Sequence, residues 1–273
     1  MHQLSFLRKY LSSALICSSI LFLLASCTST EKTGEPVTDS AKTAYFSALK
    51  GVWALSSYIE DIKGTKSPHQ AFKRLSGIST LIIPAEGKGD SLQIKTSVRN
   101  HLDSAFTLYF KKGKSTKGFR TSLTDSLSKD NYFTLGYETN TGDTTAHLYR
   151  YSAKDELLES RAFVRVTNEQ PAGAKNNWAI DYMVKKILFS GVFAIFDEEY
   201  PKNKVILHPD GTITGFREFK KYDLLTDYSE ISVTNDYIHF DTIPVENVYR
   251  FMLDEDSLKM QRQIFRVKFV KQH

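Results

Sequence analysis

Leu49-Lys50-Gly51-Val52-Trp53-Ala54-Leu55-Ser56-Ser57-Tyr58-Ile59 reads as the opening of a first β-strand. A glycine frees the backbone at the entry, and an aromatic residue follows two positions on. The same order returns at Gly191-Val192-Phe193-Ala194. Echoes also sit further along. Tyr149-Arg150-Tyr151 matches Tyr249-Arg250-Phe251, and Phe163-Val164-Arg165-Val166 loosely matches Phe265-Arg266-Val267. These pairs define a diverged tandem repeat of two β modules.

The chain around them supports that class. It holds 14 Tyr and 18 Phe against 2 Trp. Many alternate with Thr, Val and Ile, which is sheet composition. Ser91-Leu92-Gln93-Ile94-Lys95-Thr96 alternates cleanly, and so does Phe265-Arg266-Val267-Lys268-Phe269. Asp210-Gly211 between two β-rich runs signals a hairpin. Lys111-Lys112-Gly113-Lys114 reads as a solvated hairpin tip. Ser67 suits an N-cap and Pro68 a first helical position, so a short helix runs from Pro68 to Leu75 and stops at Gly77. Trp178 to Phe189 carries Trp178, Tyr182 and Phe189 near one helical face. Residues 167–177, with Pro171 and Gly173, form the best linker. The expected fold is mostly β: two tandem antiparallel meander barrels joined by a linker and a short helix. The modules span 44–166 and 191–273, with 167–190 between them.

Gly-x-Trp at the start of a first strand resembles the lipocalin-like, or calycin, families. The resemblance covers about residues 49–270 through short motifs. It implies that the glycine lets the chain pass closely and that the Trp closes a barrel floor. A second resemblance lies upstream. Arg8 and Lys9 precede an apolar segment that ends in Leu24-Ala25-Ser26-Cys27. That tetrapeptide resembles the lipobox of bacterial lipoproteins. It implies removal of residues 1–26 and acylation of Cys27. The apolar run is short for a bilayer span, which needs about 20 residues, and the competing reading is an uncleaved anchor helix. Residues 27–43 read as a disordered polar tether. Thr28 is not acidic, and by resemblance to enterobacterial sorting this implies outer-membrane residence, on the periplasmic or surface face.

Charge and motifs narrow the function. The formal charge is +5, and Arg8 and Lys9 would leave with the signal. Basic and acidic residues are interspersed, which is not the footprint of a nucleic-acid binder. The two cysteines are Cys17 and Cys27, so the mature domain holds no disulfide. The 7 histidines, His2, His69, His101, His147, His208, His239 and His273, stand singly and offer no metal pair. Ser126-Leu127-Ser128-Lys129 matches Ser-x-x-Lys, but in a polar turn without the partner motifs of that chemistry. Asp197-Glu198-Glu199 and Asp254-Glu255-Asp256 are acidic turns without a wrapping calcium loop. No catalytic motif, metal or cofactor is expected. The first functional reading is a lipid-anchored, non-enzymatic binder of a small apolar or amphipathic molecule. The alternative is an accessory lipoprotein that scaffolds another envelope protein. The first half has more length and more aromatics, so a pocket is expected there, near the Pro68 helix. Its candidate lining is Trp53, Tyr58, Phe106, Phe133, Tyr137 and Tyr149. The second barrel is expected to be filled by Phe193, Ile195, Val205, Leu207, Ile213, Phe240, Phe251 and Phe265.

Overall fold

The computed structural model describes residues 38–86, 89–111, 117–196, 204–216, 219–229, 234–241, 248–255, 257–262 and 265–272. Cys27 and most of the tether lie outside them. Helix α1 (Asp39–Leu49) opens the described chain, with Thr38 as N-cap accepting from the Ala41 amide. Residues 39–43 are therefore helix rather than tether. The cap, and the i, i+4 spacing of the buried Tyr45 and Leu49, account for it.

Strand β1 (Gly51–Leu55) starts at the glycine and takes up only the first part of the opening stretch. Helix α2 (Ser56–Thr65) takes the rest, because Tyr58, Ile59 and Ile62 share one buried helical face. Helix α3 (Pro68–Ala71) runs on into a 3₁₀ turn, Phe72–Arg74, with the Ser67 hydroxyl capping Gln70. Seven strands follow: β2 (Ile78–Ile83), β3 (Ser91–Val98), β4 (Leu102–Tyr109), β5 (Phe119–Thr124), β6 (Tyr132–Asn140), β7 (Asp143–Tyr151) and β8 (Leu157–Thr167). Each pairs antiparallel with the next. The β1/β8 pairing closes an eight-stranded up-and-down barrel.

Helix α4 (Trp178–Leu188) starts the second half. Strands β9 (Gly191–Phe196), β10 (Lys204–Leu207), β11 (Ile213–Thr214), β12 (Tyr222–Leu224), β13 (Asp236–Phe240), β14 (Val248–Leu253), β15 (Ser257–Arg262) and β16 (Phe265–Gln272) repeat the meander. Strand β9 pairs with both β10 and β16. The ring is thinnest between β11 and β12, where a single bridge, Thr212 to Lys221, joins them. The Asp-Gly hairpin forms as expected. Gly211 has φ +87°, and Asp210 Oδ1 accepts the Thr212 amide at 2.8 Å.

The repeat is thus visible as topology: an 11-residue helix, a glycine, then an eight-stranded meander, twice over. Gly51 (φ +128°) and Gly191 (φ +148°) occupy equivalent turns from helix to strand. The Tyr-Arg-aromatic match is not equivalent. Tyr149–Tyr151 lies on the seventh strand of its barrel and Tyr249–Phe251 on the sixth of its own. Phe163 and Phe265 do share the eighth position.

One continuous hydrophobic cluster runs through both barrels. Trp53, Leu81, Ile94, Leu135 and Phe163 are fully buried in the first. Helix α1 packs aromatics against that barrel's end. The Tyr45 ring lies tilted 4.5 Å from Phe119, its hydroxyl donates to the Leu135 carbonyl at 2.6 Å, and Phe46 meets Phe110 at 5.3 Å. In the second barrel Phe193, Ile195, Val205, Leu207, Ile213, Phe240 and Phe251 are all buried. The side chain of Phe265 lies outside the described residues. Residues 35–273 form one compact unit. The 167–177 linker is tied to the first barrel, with Asn176 donating to the Thr96 carbonyl and Asn177 to that of Asn100. Among the described residues, no helix is long and apolar enough to cross a membrane.

Candidate functional site

Helix α4 positions the site. Its buried face, Ala179, Ile180, Val184 and Leu188, packs into the shared core. Phe189, one residue on, sets its ring 5.0 Å from Phe251 and 5.9 Å from Tyr222. The last turn of α4 therefore packs on the second barrel. Beside it opens a cleft of 210 Å³. Ile187, Leu188, Phe193 and Leu253 form its apolar floor, and Lys63, Lys66 and Lys271 stand on its rim. Asp254 and Glu255 flank it on the β14–β15 turn. Barrel mouths and module boundaries are where ligand sites most often form, and this cleft is both.

The rim charges are unequal. Lys63 is paired with Glu60 at 2.8 Å, and Asp254 with Lys259. The Lys259 ammonium holds the Asp254 carboxyl below the usual range. Lys66 and Lys271 make no ion pair among the described residues. Lys66 is the left-handed C-cap of α2 (φ 54°). Lys271 lies across Gly191, where a Cβ would come within 2.9 Å of its Cε. The missing side chain at Gly191 thus leaves room for Lys271 beside the cleft.

A polar lock fixes the second barrel on the first. Asp181 Oδ1 accepts from Asn100 Nδ2 at 3.0 Å and from Thr226 Oγ1 at 2.7 Å. His101 Nδ1 pairs with Asp227 Oδ2 at 2.8 Å. Asp236 Oδ1 accepts the His69 amide at 2.7 Å and the Tyr228 hydroxyl at 3.3 Å. These bonds hold segment 225–229 against α3 and the β3–β4 turn, so the seam is pre-formed. Burial pushes the Asp181 carboxyl up to about 6, against the pull of its Thr226 and Asn100 donors.

The sign follows from linkage. A carboxyl with a raised folded pKa favours folding fully below its unfolded value near 4, and that contribution is lost as pH rises through about 6. Asp181→Asn is expected to flatten this slope, with a difference on the order of 1–2 kcal/mol. Urea midpoints of both proteins at several pH values between 4 and 7 read it. Parallel curves would show that Asp181 titrates normally.

The residues read from sequence as a pocket lining do not converge. Trp53 is fully buried, its indole N–H donates to the Leu49 carbonyl at 2.8 Å, and the Arg165 guanidinium lies 4.5 Å over the ring. Tyr58 sits on α2, not on a barrel strand, with a buried hydroxyl that has no partner among the described residues. Its hydroxyl pKa is driven well up by burial, with the charge of Asp181 adding to the effect. Phe106 is buried in β4 and Phe133 partly buried in β6. Tyr137 is 38% exposed, 6.0 Å from the Tyr45 ring. Tyr149 belongs to a separate cluster with Tyr132 and Tyr151, while its neighbour Leu148 joins the core. Tyr149 is therefore buried against the outer face of the barrel. None of the six lines the mouth cleft.

What covers Tyr149 is a set of polar side chains. His147 stacks on it at 5.4 Å, and Glu138 Oε1 accepts its hydroxyl at 3.0 Å and the Lys117 ammonium at 2.6 Å. Ser160 Oγ lies 3.0 Å from His147 Nδ1, so serine, histidine and glutamate stand in a row. His147 Nε2 is 3.8 Å from Glu138 Oε2, beyond hydrogen-bond reach, and the carboxylate is committed to Lys117. The row covers an aromatic face. Among the described residues no group of three His, Cys, Asp or Glu could hold a metal ion. Asp254 and Glu255 border the cleft, while Asp256 and Asp197-Glu198-Glu199 lie outside the described residues.

Comparisons with protein families, curated proteins and solved structures find no match for this chain.

Proposed function

We propose that the chain is a lipid-anchored, non-enzymatic envelope protein that binds a small amphipathic anion at the mouth of its second barrel. One observation carries this reading: an apolar floor of Ile187, Leu188, Phe193 and Leu253 beside Lys66 and Lys271, which make no ion pair among the described residues, while Asp254 on the same rim is held by Lys259. An apolar floor selects a hydrocarbon group, and the rim cations select its charge. At 210 Å³ the cleft is smaller than the roughly 300–1,000 Å³ of a site that encloses a drug-sized ligand. That suits a head group with a short chain and excludes a long acyl chain lying wholly inside. The anchor is Cys27, on the lipobox resemblance, with outer-membrane residence as the implied site.

The test is a titration with octanoate and octyl sulfate, set against octylamine and octyl glucoside. The anions are expected to raise the melting temperature saturably, and the other two to leave it unchanged. Lys66→Gly combined with Lys271→Gln should weaken anion binding at least tenfold while the fold is kept, since glycine suits the left-handed position 66. Equal response to all four amphiphiles, or anion binding untouched by the double substitution, would remove the assignment.

A further inference from the structure

The outer face of β14, β15 and β16 carries a second feature. Arg250, Met252, Lys259, Gln261 and Lys268 are exposed, and they alternate with the buried Phe251, Met260 and Val267. The exposed side chains wall a groove of 430 Å³ on the sheet. Register places Lys259 directly opposite Lys268, and Arg250 opposite Gln261. Like charges facing each other across strands are destabilising. Lys259 is partly relieved by Asp254 at the rim. Met252 is 54% exposed in the middle of this basic field, and Tyr237 pairs with Arg250 on the neighbouring strand.

We propose that this face docks on a membrane surface rich in anionic phospholipid, with Arg250, Lys259 and Lys268 on the phosphates and Met252 among the head groups. The charge complementarity is direct: the groove walls hold cations and an exposed apolar side chain, and among the described residues no acid lines it. Lys and Arg side chains reach phosphate while their stems cover apolar surface. A flexible thioether fits an irregular lipid boundary. The inference takes its membrane from the Cys27 anchor of the proposed function. The stretch from Cys27 to Thr38 spans at most roughly 40 Å when extended. A tether of that length leaves the orientation of the domain on the bilayer to its own surface contacts.

Each cation near an anionic surface is worth about fivefold in association, so the three together give about 100-fold. The experiment reconstitutes the full, processed protein on vesicles of phosphatidylcholine alone or mixed with phosphatidylglycerol. Amine labelling is then read site by site. Labelling of Lys259 and Lys268 is expected to fall several-fold on the anionic vesicles only. Raising the salt concentration should restore it, and exposed Lys129 and Lys154 on the first barrel should not change. Arg250→Gln with Lys268→Gln should abolish the protection of Lys259. Equal labelling on both vesicles overturns the proposal. So does protection seen only in whole envelopes, which would assign the face to an acidic protein. The anchor is judged separately. If the intact mass shows no acyl groups and the protein floats with anionic vesicles alone, the anchor reading fails and the docking face stands.

Discussion

Gly51→Ala is expected to lower the unfolding free energy by about 3 kcal/mol, through two causes that add. At φ +128° the backbone lies where L side chains rarely go. A Cβ built there would also meet the Thr167 carbonyl oxygen at 2.6 Å. Thr167 ends β8, the strand that closes the barrel on β1, so relief would have to open the closing pair. Gly191→Ala should cost less, about 2 kcal/mol. Its φ of +148° is equally foreign to alanine, but the atom it meets is the far end of Lys271. Gly64→Ala is the control. It lies inside α2, at ordinary φ, with nothing within 4 Å of the new Cβ, and should gain about 0.5–1 kcal/mol. Urea melts of the three variants rank these effects. A Gly51→Ala protein as stable as the parent would show that the helix-to-strand turn does not define the barrel.

That turn was legible in the sequence because its chemistry is local. A glycine followed by an aromatic at the mouth of a β-rich run says where a strand must begin, and the Asp210-Gly211 hairpin and helix α4 are visible for the same reason. The end of the strand that follows Gly51 is not legible, because apolar residues stand on both sides of Ser56-Ser57, at Trp53-Ala54-Leu55 and at Tyr58-Ile59. Such a run shows no phase until Tyr58, Ile59 and Ile62 are seen sharing a helical face. Helix α1 follows directly on a polar stretch, and only the Thr38 cap and the i, i+4 pair Tyr45 and Leu49 mark it. The mouth cleft was not legible at all. Lys63, Ile187, Leu253 and Lys271 come from four separate elements, and no short motif joins them. Alternation shows that Leu148 and Tyr149 face opposite ways. It does not show that the outward one would also be covered, here by His147, Glu138 and Lys117.

Trp53→Ala should be the most damaging single change, costing about 4 kcal/mol. The ring is fully buried, and its loss leaves a cavity in the first barrel and the Leu49 carbonyl without its donor. Against a stability of about 5–15 kcal/mol, that is a large fraction. Its reach is the sharper question. The hydrophobic cluster is continuous from one barrel to the other, and Asp181, Asn100 and Thr226 bind the seam. The two barrels should therefore melt together. The sequence supplies the reporter: Trp178, on α4, is the only indole left once Trp53 is replaced. Trp53→Phe, which keeps a ring, is the reference. In urea, the Trp178 fluorescence of Trp53→Ala should move to lower denaturant in step with the circular dichroism of the whole chain. If Trp178 keeps the reference midpoint while half of the β signal is lost earlier, the barrels are independent folding units, and the mouth cleft does not depend on the first barrel for its stability.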